Sequence, residues 1–293
     1  MKRFFRILTV ILLLFVVATG LLLVSHRFLY ADHASGKQHS LTLLTYNTHR
    51  MGMFCKADRN EVIRYLRQSD ADILCLQEVE VYKDSRYLTL DELKRAMAHY
   101  PYTYFDFKVY NSRRQFGNVV FSRYPLVNKH TIRYASQSNI SSCCDVVVGR
   151  DTLRLTTNHL ESFRLKDSDL DSLRAHPIRP SDPLHRRLLS TSLQRWRQAR
   201  TVSRAVSQSP YPVLVVGDMN AMPLSMTYLT LRRHLDDAFL MSSNLRLGNT
   251  YRKGKWGIRI DYILHSPSIA ATACRVDAVD ASDHYPVIAT VVW

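Results

Sequence analysis

Short apolar runs of β type that end in a hard polar side chain constrain this chain more than any other feature. In order they are Leu43-Leu44-Thr45-Tyr46-Asn47, Ile73-Leu74-Cys75-Leu76-Gln77-Glu78, Thr156-Thr157-Asn158-His159-Leu160-Glu161-Ser162, Val213 to Val216 followed by Gly217-Asp218-Met219-Asn220, and Ile260-Asp261-Tyr262-Ile263. Ser282-Asp283-His284 closes the set almost at the C-terminus. A buried strand fixes the side chain at its end with little freedom, and several such ends can converge on one pocket. Converging carboxylates, amides and imidazoles are what Mg²⁺-assisted phosphoester cleavage needs. The oxygens hold the ion while leaving it positions for water and phosphate, and the histidines handle protons and oxyanion charge.

The remainder of the sequence bounds this reading. With 293 residues and 46% hydrophobic composition, the chain can bury one large core. It carries no repeat, low-complexity tract or Gly/Ser linker inside that region. Ile7 to Val24 is an apolar run interrupted only by Thr9, Thr19 and Gly20, and Lys2, Arg3 and Arg6 precede it. Eighteen helical residues rise about 27 Å, enough to cross a hydrocarbon core. The expected organisation is a cytoplasmic N-terminus at 1–6, a single transmembrane anchor at 7–24, a linker at 25–39 and a catalytic domain at 40–293 on the outer side of the membrane. A cleaved signal peptide is the competing reading, with Ala31 to Ala34 as its nearest cleavage site, but the spacing is wrong and the apolar run is long. Five cysteines without a Cys-x-x-Cys pair lack zinc-site spacing, and Cys75 inside an apolar run reads as a small core residue. The net charge of +15 favours polyanions. Arg186, Arg187, Arg195, Arg197, Arg200 and Arg204 fall between Pro183 and Ser209 without one acid, which is either a solvated helix face or a contact surface for nucleic acid or anionic lipid.

Hydrophobic periodicity predicts strands at Leu41–Tyr46, Ile73–Leu76, Tyr102–Val109, Gly117–Ser122, Thr131–Tyr134, Asp145–Val148, Leu153–Asn158, Val213–Val216, Arg259–Leu264 and Val287–Val292. It predicts helices at Asn60–Ser69, Leu90–His99, Ser181–Ser207, which Pro183 could start, and Tyr228–Arg233. Hairpins mixed with strand-helix-strand units point to an α/β chain with two mixed sheets and helices outside.

The ordered set Asn, Gln-Glu, Asn-His-Leu-Glu-Ser, Gly-Asp-x-Asn, Asp-Tyr-Ile, Ser-Asp-His resembles the endonuclease/exonuclease/phosphatase superfamily, the deoxyribonuclease-I-like fold, from about Ser40 to Trp293. The resemblance implies a four-layer sandwich of two mixed β-sheets flanked by helices. It implies Mg²⁺, with Mn²⁺ as a substitute, held by Glu78, by Asn47 as a neutral oxygen donor, and by Asp283 directly or through water. Asp218 would accept a proton from the attacking water and Asn220 would hold that water or a phosphate oxygen. His159 would meet the scissile phosphate and protonate the leaving oxygen. Asp261 would fix and charge His284 opposite the transition state. Asn118 would lie under the phosphate, and Arg114 would grip substrate. Each residue also has an ordinary reading: a cap, an Asp-x-Asn turn, a solvated arginine. The implied activity is phosphodiester hydrolysis of nuclease type. The alternatives are a lipid or inositol-phosphate phosphoesterase and, from a different class, a non-catalytic module for anionic ligands. The expected partner is the phosphoester substrate, either nucleic acid or a phospholipid head group, and no protein partner is expected.

Overall fold

The computed structural model describes residues 39–52, 55–166, 168–169, 171–172, 182–242, 248–253 and 256–293. The apolar segment Ile7 to Val24 lies outside them; among the described residues no helix is long and apolar enough to cross a membrane.

Two six-stranded mixed sheets face each other. The first runs in the order β13 (Ala270–Val276), β14 (Val287–Val292), β1 (Ser40–Asn47), β2 (Ile73–Tyr82), β4 (Arg114–Ser122), β3 (Tyr102–Tyr110). The second runs β5 (Leu126–Ile132), β6 (Ile140–Val148), β7 (Asp151–His159), β8 (Val213–Asp218), β12 (Asp261–His265), β9 (Asp236–Asp237). A separate hairpin joins β10 (Tyr251–Lys253) to β11 (Trp256–Ile258). Each large sheet has one parallel pair at its centre, β1 with β2 and β7 with β8. Between the members of each pair the chain crosses over through a helix, α1 (Glu61–Gln68) and α3 (Pro183–Ser207) respectively.

Period-two alternation sorts the strand residues into layers. Leu41, Leu43, Ile73 and Cys75 face Leu153, Leu155, Leu214 and Val216 between the sheets. Leu44, Tyr46, Leu74 and Leu76 point the other way, against Val62, Ile63 and Leu66 of α1 and Leu93 of α2 (Leu90–Ala96). On the opposite outer face, Val213 and Val215 pack against Ala199, Val202 and Val206 of α3 and Tyr228 and Leu231 of α4 (Met226–Arg232). The helices start where local chemistry permits. Asn60 accepts from the Ile63 amide, Thr89 and Glu92 form a reciprocal capping box, Pro183 opens α3, and Ser225 accepts from the Tyr228 amide.

Several boundaries depart from expectation. The strand expected at Thr131–Tyr134 is β5, Leu126–Ile132, whose buried ends flank a solvated middle that hides its period. β6 begins five residues before Asp145, at Ile140, because Ser141 and Ser142 are buried against neighbouring strands despite their polarity. The second helix stops at Ala96, short of His99. β13 was not expected at all, since Ala270-Ala271-Thr272-Ala273 carries little hydrophobic signal, yet it pairs along β14. β2 runs on to Tyr82, because a bulge between Leu76 and Val79 shifts the alternation and returns Val79 and Val81 to the helix side.

Candidate active site

The polar strand ends gather at one edge of the sandwich. In the second sheet, His159 of β7 pairs in register with Asp218 of β8, and Asp218 with Asp261 of β12, so three chemically active side chains stand in a row. They continue the interior face of their strands, and all three are buried. The first sheet supplies Asn47 at the end of β1 and Glu78 in the β2 bulge. Glu78 has φ 55°, a left-handed conformation that costs a non-glycine residue roughly 1–3 kcal/mol and turns the carboxylate out of the strand alternation.

Asp218 is the hub. Its Oδ2 accepts from Asn47 Nδ2 at 3.0 Å and Asn220 Nδ2 at 3.0 Å, and Oδ1 accepts from the Asn220 amide at 2.7 Å. The chain does not stay extended after Gly217. Asn220 reaches back from φ 47° and also donates to the Leu160 carbonyl at 3.0 Å. His284 Nε2 lies 3.7 Å from Asp218 Oδ2, while its Nδ1 meets Asp261 Oδ2 at 2.9 Å. His159 Nε2 sits 3.4 Å from Glu78 Oε1 and 3.9 Å from Asp218 Oδ2 and makes no hydrogen bond among the described residues. Asp283 meets His49 Nδ1 at 3.2 Å. The Ser282 hydroxyl donates to the Asn47 carbonyl and accepts the His284 amide, locking the last loop onto β1.

These contacts set the charges. Burial raises the Asp218 carboxyl above the usual range and the Asp261 carboxylate adds to the rise, with His284, His159 and Asn47 opposing it. Burial alone would neutralise His284, but the carboxylates of Asp261 and Asp218 outweigh it and carry the imidazole up to about 10. Burial pushes Asp283 up too; the His49 hydrogen bond and the His284 charge more than reverse this and hold it below the ordinary value.

A cleft of about 500 Å³ opens over this edge, lined among others by Glu78, Asp218, Asn220, Asp283 and His284. Residues 44–284 match the Endonuclease/Exonuclease/phosphatase family. The chain belongs to that family. It is accordingly an enzyme of the phosphoester-hydrolase type that defines the endonuclease/exonuclease/phosphatase proteins. Similar folds include an endonuclease/exonuclease/phosphatase from Beutenbergia cavernae DSM 12333 (21% identity, 87% of this chain and 72% of that one, TM-score 0.65). A truncated TDP2 from Caenorhabditis elegans is 16% identical over 88% of this chain and 99% of its own, with TM-score 0.64. Sphingomyelinase C from Streptomyces griseocarneus is 19% identical over 86% and 99%, with TM-score 0.56. No curated protein matches the sequence.

A divalent cation suits the donor set. Asp218, Asp261 and His284 place ligand atoms within 4.8 Å of one another, but His284 Nδ1 is already bonded to Asp261, so this trio is a hydrogen-bonded relay rather than a cage. Glu78 and Asp283, with side chains 24% and 37% exposed, are the carboxylates that reach the cleft with open faces. Hard oxygens open to water fit Mg²⁺ or Mn²⁺. Asn47 differs from expectation: its amide nitrogen points at Glu78 Oε1 (3.3 Å) and Asp218, while its oxygen accepts the His49 amide at 3.1 Å. It aims Glu78 rather than presenting an oxygen beside it.

The structure brings His159, Asp218, Asn220, Asp261, His284, Asn47, Glu78 and Asp283 together and leaves out two candidates. Asn118 is buried between the sheets, its amide donating to the carbonyls of Ile140 and Thr157 and to Ser142, a cross-sheet tie with no opening to the cleft. Arg114 joins Arg50 on the buried carboxylate of Glu80, which holds it away from the site. Two residues enter that the strand-end pattern did not select. Thr250 Oγ1 accepts the amides of Ile260 and Asp261, anchoring the start of β12, and the Tyr251 ring lies 4.9 Å from His284. A third, Arg195, was expected on an outward basic face. It is buried instead, its Nε donating to the Glu161 carbonyl at 2.6 Å, its guanidinium 4.1 Å from the Phe163 ring, and its Nη2 without a partner among the described residues. It lines the cleft, and the dry surroundings lower its pKa to about 10.

Proposed function

We propose that this chain hydrolyses phosphodiester bonds with the help of Mg²⁺, for which Mn²⁺ can substitute. The observation that carries the reading is the buried Asp218, gripped by Asn47 and Asn220 and flanked by two histidines at the floor of an open cleft. A carboxylate whose pKa is raised by burial is a better proton acceptor than a solvated one, which suits it to take a proton from water as that water attacks phosphorus. Asn220 fixes the direction of that carboxylate with its side-chain and backbone N–H groups. His284, kept cationic by Asp261, sits where negative charge grows on the phosphoryl oxygens. His159, whose Nε2 makes no hydrogen bond among the described residues, is placed to meet the leaving oxygen. An ion bound by Glu78 and Asp283 would polarise the phosphoryl group. The substrate phosphate would also find Arg195 at the wall of the cleft, whose Nη2 has no partner among the described residues.

The sequence supports a membrane setting for this activity, since Ile7 to Val24 can anchor the chain with its catalytic domain on the outer side. Full-length protein is then expected to pellet with membranes and to resist alkaline carbonate; recovery of a soluble species beginning near Ala34 would show a cleaved signal instead. The catalytic reading is tested by Mg²⁺-dependent hydrolysis of bis-p-nitrophenyl phosphate, DNA and sphingomyelin by wild type and Asp218→Asn. Wild-type turnover on at least one diester and a loss on the order of 10²- to 10⁴-fold in the variant are expected. A variant that keeps wild-type rates would remove Asp218 from the chemistry.

A further inference from the structure

Exposed apolar side chains scattered singly need no explanation, but contiguous ones beside a cleft mark a contact surface. Here Leu189 and Leu193 project from α3, Met222 and Leu224 from the turn before α4, and Met226 and Leu229 from α4. All six are exposed, from Leu193 at 41% to Leu224 at 79%. The patch is continuous with the active site, since Met222 lines the catalytic cleft together with Ser192 and Ser225 of the same two elements. Leu224, 79% exposed, is held at φ 67°, an unfavourable conformation for a leucine.

The other half of the surface is cationic. A groove of about 430 Å³ runs between α3 and α4, where Trp196 Nε1 donates to Thr230 Oγ1 at 3.1 Å. It is lined by Met226 at one side and by Arg200, Arg204, Arg233 and His234, and among the described residues no acid lines it. Resting on the phosphoesterase reading above, we propose that this α3–α4 face docks onto an anionic lipid bilayer, setting the cleft at head-group level where its substrate would be a lipid phosphodiester. A bilayer interface meets both halves of the surface: the aliphatic tips enter the acyl boundary while the arginines meet lipid phosphates. Nucleic acid would match the arginines but leave Leu224 and Met226 in water.

The test uses full-length protein reconstituted into vesicles of phosphatidylcholine alone or mixed with phosphatidylglycerol, with bromine-labelled acyl chains as quencher. Trp196 emission, isolated by subtracting Trp196→Phe, is expected to be quenched several-fold more in the anionic vesicles. Leu224→Glu with Met226→Glu, and separately Arg200→Gln, Arg204→Gln with Arg233→Gln, should each abolish the difference while the chain stays in the vesicle. Quenching that both sets leave unchanged, or Trp196 emission that responds to duplex DNA and not to anionic lipid, would overturn the proposal. Hydrolysis of bis-p-nitrophenyl phosphate separates the two readings, because that soluble diester needs no docking. Intact hydrolysis with no docking removes this inference alone; docking by a wild-type chain that hydrolyses no diester removes the phosphoesterase reading and leaves the surface as a membrane contact.

Discussion

A histidine sealed from water ordinarily gives up its proton; His284 keeps it because two carboxylates stand within reach. If Asp261 acts only by charging and orienting that ring, the two residues form one functional unit. His284→Ala is expected to lower the maximal rate by roughly 10²- to 10⁴-fold, and adding Asp261→Asn should cost little more. Additive losses in a steady-state double-mutant cycle would show that they work separately. Glu80 is the contrasting case, a fully buried carboxylate clamped by Arg50 and Arg114 outside the site. Burial pushes its pKa up, and the two arginines more than reverse that, leaving it below the ordinary 4.5. A depressed folded pKa means stabilisation that is present above the unfolded value and lost as pH falls through the folded one. Glu80→Gln should therefore destabilise the fold by about 1–3 kcal/mol near neutral pH and by clearly less in acid. Urea melts at both pH values would check the sign, and an equal loss at both would refute the charge argument.

At the scale of elements, the site depends on two departures from regular strand. The β2 bulge turns Glu78 out, and Gly217 lets β8 pass close to β7. A Cβ on Gly217 would lie 2.1 Å from the Asn158 carbonyl oxygen, at φ 125°. Gly217→Ala should thus separate His159 from Asp218, lose activity on every substrate, and lower stability by more than about 2 kcal/mol. Calorimetry with a diester assay would read both, and a normal melt with normal turnover would show that the strands tolerate the shift. Asn118 poses the opposite question. Asn118→Ala is expected to cost about 1–3 kcal/mol of stability, from unpaired carbonyls between the sheets, with KM unchanged; a raised KM at full stability would return it to the substrate. These elements also show what the sequence makes legible. The strand ends at Asn47, His159 and Asp218 could be read because each closes an apolar run whose period says which way the last residue points, and Asp261 because it opens one. β13 and β5 were hidden or displaced because alanine and solvated polar residues carry no such period. The burial of Arg195 could not be read, since a run of six arginines on one helix looks uniform until the partner of each face is known. Asn118 misled for a related reason: a buried amide in a strand serves a substrate and a neighbouring sheet equally well in one dimension.

For the molecule as a whole, the decisive fact is that the cleft has two owners. Asn47 and Glu78 belong to one sheet, and His159, Asp218 and Asp261 to the other. The common interior layer, from Leu41 and Ile73 across to Leu155 and Leu214, sets the spacing between the two groups, and the Asn47–Asp218 hydrogen bond and the Asn118 tie span the same gap. Activity loss and loss of the interior packing are then expected at one temperature, measured by residual turnover and near-ultraviolet dichroism on the same heated samples. Inactivation well below the structural midpoint would show that the two halves can slip while each remains folded. Turnover is in that sense a ruler laid across the sandwich: any solvent, mutation or pressure that changes the gap between the sheets by a fraction of an ångström should register in the rate before it registers in any measure of secondary structure.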